Sequence, residues 1–428
     1  MYYTYAFCLF FGLLVSSPWY LLRSRKYIAT LKSRFGFLKI PTLERSIWVH
    51  AVSVGEVRAV QKLLKRLRLQ YPNQPLILST ITPTGQKLAN ESFGFADHVF
   101  YFPFDFSGAI RRTLDKVDPE LVIIAETEIW PNFLRECRRR RIPVMMVNGR
   151  ISDRSFPRYR WIRRWLKVVL NDYSVLGMQS EVDRERIEFL GADRAKVRVF
   201  GNLKYDMLSS GRPLESKLVR LLTGSQPLWI AASTTSTGTA NPVHEEDHVL
   251  AAFVKLRRRH PGLKLLIAPR HPERFNTVEQ LVRAHGFQCT RRSASNGASS
   301  NGSGSAIRDV LLLDTIGELA SAFSYASVVF MGGTLVPRGG HNILEPAAAS
   351  RAIVFGPHME NFREISALFL EGKAAIQIRD ADELAPVVDR LLNDGVTTAA
   401  MGEMARRIVE RNTGATERVM AFLAEELR

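Results

Sequence analysis

The sequence predicts an α/β protein made of two doubly wound parallel-sheet domains. Three observations carry that expectation. Short apolar runs alternate with amphipathic stretches from Ile47 onward, the alternation breaks once, and it restarts at Leu228. The apolar runs also end in glycine-rich or charged loops, as strands do where an open α/β sheet offers its carboxyl edge to a ligand. At 428 residues the chain is longer than one hydrophobic core usually serves.

The first 22 residues carry no charged side chain. As a helix they would extend about 33 Å at roughly 1.5 Å per residue, enough for a hydrocarbon layer of about 30 Å. Tyr2, Tyr3 and Tyr5 at one end and Trp19 and Tyr20 at the other match interfacial aromatic belts, and Arg23, Arg25 and Lys26 place the body of the protein in the cytoplasm. A cleaved signal peptide is disfavoured, because no basic region precedes the apolar stretch and no small-x-small cleavage site follows it. Residues 1–26 are read as a membrane anchor at the inner (cytoplasmic) membrane. Pro18 leaves open whether the segment spans the bilayer or lies in its interface.

Residues 27–206 form the first domain. Its expected strands are Ile47–Val52, Leu76–Ser79, Val99–Phe102, Leu121–Ala125, Val144–Val147 and Ser174–Gly177, with helices between them. Five or six parallel strands follow from that rhythm. Periodicity fails around Ser209-Ser-Gly-Arg-Pro213, so 207–226 is read as a linker and 227–428 as the second domain. The second domain's strands are Leu228–Ala232, Leu263–Ala268, Val310–Leu313, Ser327–Met331 and Ala352–Phe355. Between them, Arg292–Ser305 is a Ser/Gly/Asn stretch too polar to bury much surface, and is expected to be a mobile surface loop.

The balance of 59 basic against 42 acidic residues gives a formal charge of +17, which favours an anionic partner. Much of it is local, since Arg23–Arg68 holds twelve Lys or Arg against Glu44 and Glu56. A second basic stretch, Arg154, Arg158, Arg160, Arg163, Arg164 and Lys167, is interleaved with Phe156, Tyr159, Trp161 and Trp165. It reads as a helix for an anionic membrane surface, against the plainer reading of a solvated face. Cys8, Cys137 and Cys289 form no CxxC pair and suit a reducing compartment.

Several strand ends carry candidate chemistry. In His50-Ala-Val-Ser-Val-Gly-Glu56 a carboxylate opens a helix; its plain reading is a favourable charge at a helix start. Glu126 and Glu128 follow an apolar strand directly, a poor place for charge unless it is used, although a helix-start role before Pro131 accounts for Glu128. Lys204 lies in Gly201-Asn-Leu-Lys-Tyr-Asp206 at the end of the first domain, where a solvated lysine is the plain reading. Pro269-Arg270-His-Pro-Glu-Arg274 is a cationic loop suited to a phosphate, and Asp314-Thr-Ile-Gly-Glu318 offers groups for a base or ribose. The richest loop runs from Gly332 to Pro346. There Gly332, Gly333, Gly339 and Gly340 allow close backbone approach to a ligand, and Asn342, Leu344 and Glu345 are placed on the first turn of the next helix. The next strand end, Gly356-Pro-His358, faces the same edge. No HExxH, P-loop or GxSxG is present, and His341 with His358 lacks a third metal ligand.

In order, His50–Glu56, Thr82-Pro-Thr-Gly85, Glu126-Thr-Glu-Ile-Trp-Pro-Asn132, Asn148-Gly-Arg-Ile-Ser152, Gly201–Asp206, Pro269-Arg-His-Pro-Glu-Arg-Phe275, Arg338-Gly-Gly-His-Asn342 with Glu345, and Gly356-Pro-His358 resemble the 3-deoxy-D-manno-octulosonic acid (Kdo) transferase family of lipopolysaccharide biosynthesis. The resemblance implies a GT-B glycosyltransferase, two Rossmann-like domains facing across a cleft, the first for the acceptor and the second for a CMP-sugar. It implies Glu56 as general base and Glu126 and Lys204 as transition-state stabilisers. It places CMP against Pro269, Arg270, Ile316, Gly317, Glu318, Asn342, Ile343, Leu344 and Glu345. The implied reaction is an inverting transfer of Kdo from CMP-Kdo to a tetraacylated lipid A precursor, lipid IVA, with no metal and no cofactor.

The sequence departs from the family at Ala232–Glu246, where Thr235 stands in the place of the usual histidine and residues are inserted; His244 or Glu245 recovers part of the motif. Two other readings compete. One is a GT-B envelope transferase with a different nucleotide sugar. The other is a membrane-tethered protein that holds anionic lipid or nucleic acid without turnover, and against nucleic acid stand the carboxylates Glu56, Glu126 and Glu128, which repel phosphates.

Overall fold

The computed structural model describes residues 30–92, 94–208, 213–238, 242–296 and 307–426, with Tyr2, Tyr5 and Phe11. Apart from those three, residues 1–26, read above as an anchor, lie outside the described residues, as do 297–306 of the low-complexity stretch. Among the described residues no helix is long and apolar enough to cross a membrane. The chain divides into two compact units, Met1–Met207 with Asn412–Arg428, and Leu208–Arg411.

The first unit is a seven-stranded sheet in the order β3-β2-β1-β4-β5-β6-β7. Its strands are β1 (Ser46–His50), β2 (Leu76–Thr80), β3 (His98–Tyr101), β4 (Pro119–Ala125), β5 (Val144–Gly149), β6 (Val175–Met178) and β7 (Val197–Val199). All neighbours pair in parallel. A parallel sheet is covered by helices on both faces, so its central strands are apolar throughout rather than alternating. Trp48, Val122, Ile124 and Met146 face one core with Phe102 and Phe133. Ile47, Val49, Ile123 and Val147 face the other, with Leu63, Leu67, Val419 and Leu423.

That second core corrects the assignment of 227–428 to one domain, because the helix Ala415–Glu426 buries Val419, Met420 and Leu423 on the first unit. Asp206, itself 4% exposed, accepts the N–H groups of Gly414 at 2.7 Å and Thr416 at 2.5 Å, and Arg418 Nε donates to the Phe200 carbonyl at 2.7 Å. The carboxylate thus satisfies orphan amides at a helix start while the apolar face returns to the sheet.

The second unit repeats the plan with β8 (Leu228–Thr234), β9 (Lys264–Pro269), β10 (Cys289–Arg291), β11 (Val310–Leu312), β12 (Val328–Met331), β13 (Ala352–Phe355) and β14 (Ala375–Gln377), in the order β10-β11-β9-β8-β12-β13-β14. Each sheet therefore has seven strands. The strands missing from the sequence reading, β7, β10 and β14, are three-residue pieces with a polar residue inside or at the end, lying at sheet edges where one face is enough to hold them. Within the expected linker, Ser216–Thr223 is a helix of the second unit, held by buried Leu218 and Leu222. Arg292, expected at the start of a surface loop, is 2% exposed and paired with Glu215 and Glu318, each at 3.0 Å.

Candidate active site

In each sheet the strand order reverses between two central strands, and there ligands bind open α/β folds. In the first unit the reversal lies between β1 and β4. Glu56 follows β1, and Glu126 and Glu128 follow β4.

Glu56 is 7% exposed, on the first turn of the helix Val54–Ala59. One carboxylate oxygen accepts the Val52 N–H at 2.8 Å and the other accepts the Ser53 hydroxyl at 2.8 Å. The helix-start reading of this residue is therefore correct as local structure. It does not exhaust the residue, because burial and then the negative charge of Glu126 push its carboxyl up to about 7, against those two hydrogen bonds and Lys204. A group that titrates near neutrality is fitted to take and release a proton.

Glu126 has φ of 59°, a left-handed backbone that a residue with a β-carbon adopts at a cost of about 1–2 kcal/mol. Its loop is fixed from both sides. Thr127 Oγ1 accepts the Arg150 N–H at 2.7 Å and donates to the Arg150 carbonyl at 2.5 Å, and the Tyr173 hydroxyl donates to the Glu128 carbonyl. Glu128 is pushed up to about 7 by burial and then by Glu56 and Glu126. The three carboxylates thus share one field.

Lys204 is not merely solvated. Its ammonium lies 3.5 Å from Glu126 Oε1. Asn202 Oδ1 accepts its N–H at 2.9 Å, and Asn148 Oδ1 accepts the neighbouring Leu203 N–H at 2.9 Å. His50, which opens the motif, is structural: fully buried, stacked 4.0 Å from Phe102 and held by Ser79 Oγ at 2.9 Å, it is kept neutral by burial, which lowers its pKa to about 3.

In the second unit the candidate nucleotide residues follow β9, β11 and β12 on one sheet edge. Pro269 is buried and Arg270 exposed. Arg274, from the same cationic loop, is committed internally, its guanidinium forked onto Glu246 at 2.8 and 2.7 Å. Ile316 is 76% exposed, an apolar side chain presented beside Gly317. Glu318 turns its carboxylate to Arg292 and Thr315 Oγ1, and its carbonyl accepts the Ala322 N–H at 3.0 Å.

The helix after the glycine-rich loop starts at Leu344, and Asn342 stands before it with Oδ1 accepting the Leu344 N–H at 3.1 Å. Asn342 and Leu344 therefore do not both lie on the first turn. Ile343 and Leu344 point into the core, both fully buried, and offer only backbone. Glu345 lies on the first turn as expected.

Two glycines of the loop serve packing rather than ligand approach. A Cβ on Gly332 would stand 2.6 Å from Thr234 Cα, and one on Gly333 2.7 Å from the His341 ring.

The sequence offers Glu245 only as recovering part of a family motif, and gives Glu246 no role. Both are fully buried at the start of the helix Glu245–Arg259. Glu245 accepts four backbone N–H groups, from Thr235 at 2.9 Å, Gly333 at 2.6 Å, Thr334 at 2.9 Å and Leu335 at 2.9 Å. The signal lay in the acidic run Glu245-Glu246-Asp247 that opens this helix. Among the described residues no group of three or more His, Cys, Asp or Glu side chains converges as a metal-ligand set.

Comparison with known proteins bears on this geometry. Residues 29–207 match the family model described as 3-deoxy-D-manno-octulosonic-acid transferase (kdotransferase). A 3-deoxy-D-manno-octulosonic acid transferase of Haemophilus influenzae is 34% identical over 406 residues, covering 94% of this chain and 92% of the relative. The Bordetella pertussis enzyme of the same name is 31% identical over 390 residues, covering 90% and 88%. Among solved structures, UDP-GlcNAc 2-epimerase from Neisseria meningitidis bound to UDP-GlcNAc superposes with a TM-score of 0.55 over 89% of this chain and 100% of that one, at 10% identity, a likeness of fold alone. With both units matched along nearly the whole of two enzymes of one name, this chain belongs to the 3-deoxy-D-manno-octulosonic acid transferase family.

Proposed function

We propose that this Kdo transferase moves Kdo from CMP-Kdo to a tetraacylated lipid A precursor, lipid IVA, with inversion at the anomeric carbon. The observation that carries the reading is Glu56, a buried carboxyl raised to about 7 beside the Glu126–Lys204 pair at the switch point of the first sheet. Glu56 takes the proton of the acceptor hydroxyl. The freed oxygen bonds to the anomeric carbon as the bond from that carbon to the phosphate of CMP breaks, and CMP departs with the electron pair. Glu126 turns its negative charge to the oxocarbenium-like ring, and Lys204, 3.5 Å away, holds that carboxylate in position. Pro269, Arg270, the Ile316–Glu318 backbone and Asn342–Glu345 hold CMP, with the Arg270 guanidinium on its phosphate. No step calls on a divalent metal.

An anionic, membrane-borne acceptor suits the rest of the chain. Trp161 is 92% exposed among Arg158, Arg160, Arg163 and Arg164, an apolar wedge in a basic field. Tyr2 donates to Asp172 at 2.6 Å and the Tyr5 ring lies 6.0 Å from that of Trp165. These contacts hold Tyr2 and Tyr5 against the body of the first unit. We place the protein at the inner membrane, with both units on the cytoplasmic side.

The test is mass spectrometry of lipid IVA incubated with protein, CMP-Kdo and a chelator. Acceptor masses raised by one or more Kdo units are expected. An unchanged acceptor with protein that binds CMP would sink the choice of acceptor, and turnover with another nucleotide sugar alone would sink the choice of donor.

A further inference from the structure

We propose that Glu245 and Glu246 are positioning residues, adjacent carboxylates on one helix turn that together set the donor-holding loops of the second unit; the inference rests on the CMP reading above. The second sheet reverses its order between β8 and β12. Glu245 ties these two strand ends together, accepting Thr235 N–H after β8 and the Gly333, Thr334 and Leu335 N–H groups after β12. The loop that carries Asn342–Glu345 therefore leaves β12 from a clamped root.

Three successive N–H groups aimed at one point make an anion-binding concavity, the arrangement a phosphate would use. Here the protein's own carboxylate fills it. Ser233, beside the clamp, has φ of 55°, and Gly340 N–H donates to the Gly333 carbonyl at 2.9 Å, so the far end of the glycine loop is tied back to the same root.

Glu246 does the parallel work on β9. It holds Arg274 with two bonds of 2.8 and 2.7 Å, Arg274 also meets His244 Nδ1 at 3.0 Å, and Arg270 N–H donates to the Thr234 carbonyl at 2.9 Å. The loop bearing Pro269 and Arg270 is thereby fixed to the same helix start as the glycine loop. Neither carboxylate reaches solvent, so both act through the loops they hold.

The experiment uses the full-length protein with Glu245→Gln and Glu246→Gln, read by hydrogen exchange of the Gly333, Thr334 and Leu335 amides and by calorimetry with CMP. Glu245→Gln puts an amide N–H where four donors converge. Those three amides should exchange at least tenfold faster, CMP should bind at least tenfold more weakly, and KM should rise for the donor while staying within twofold for lipid IVA. A merely structural role would instead lower thermal stability and raise both KM values together. Unchanged exchange, or unchanged CMP affinity with faster exchange, would overturn the proposal. Glu246→Gln leaves the amide clamp intact and should weaken CMP severalfold by releasing Arg274; unchanged affinity there overturns the Glu246 half even if the first variant fails to fold. If the wild-type protein itself does not bind CMP, the donor reading fails, and the exchange result separately decides whether Glu245 orders the loop.

Discussion

Glu56 has two lives, as a helix-start carboxylate and as a titrating group near pH 7, and they make separable predictions. With its pKa at about 7, kcat/KM should fall as pH drops through about 7. Lys204→Met removes a positive charge that holds this pKa down, so the acid limb should move to higher pH in that variant, read from a pH–rate profile. The same shift has a cost in stability. A carboxyl whose folded pKa is raised binds its proton more firmly folded than unfolded, so its stabilisation is complete below about 4.5 and is lost as pH rises through about 7. Glu56→Gln should therefore gain thermal stability relative to wild type between pH 5 and pH 8, with kcat down by orders of magnitude and CMP affinity unchanged. If the two proteins melt with parallel pH dependence, the raised pKa is wrong. At this scale the sequence singled out Glu56 at a helix start, Glu126 after an apolar strand and Lys204 in the Gly201–Asp206 motif, while the roles expected of them came from the family resemblance. It hid Glu245, whose meaning depends on four amides from two distant strand ends that only the folded sheet brings to one point.

Among the elements, the helix Ala415–Glu426 has the most to say. Leu423 is 2% exposed in the core of the first unit, so Leu423→Ala should cost about 2–5 kcal/mol in urea denaturation followed on that unit. A cost below about 1 kcal/mol would mean the helix is not part of that core. The long apolar strands were legible from their runs of Val, Ile and Leu, whereas β7, β10 and β14 were not. Three residues set no period, and edge strands need less burial to persist. Where the last helix docks was also hidden, since its apolar stripe fits any sheet face and the choice is made by Asp206 and Arg418. The glycine loop was read for the right place and partly the wrong reason: Gly332 and Gly333 leave room for Thr234 and His341.

For the molecule as a whole, a formal charge of +17 predicts binding to anionic vesicles that weakens with salt. Screening shortens from about 10 Å at 0.1 M to about 3 Å at 1 M. Reversing Arg158, Arg160, Arg163 and Arg164 to Glu should abolish flotation with phosphatidylglycerol vesicles while leaving CMP binding intact; flotation as strong as wild type would remove this face from the membrane reading. Two doubly wound halves were visible in the sequence, but not that one is inserted within the other. Residues 1–207 wait for 412–428, and the whole of 208–411 is threaded between them. A ribosome releases this chain from its beginning, so the half that is started first is finished last. The inserted half can close on itself while its host still lacks the helix that covers one face of its sheet, and through that interval the surface awaiting Val419, Met420 and Leu423 lies open to any chaperone at the tunnel exit.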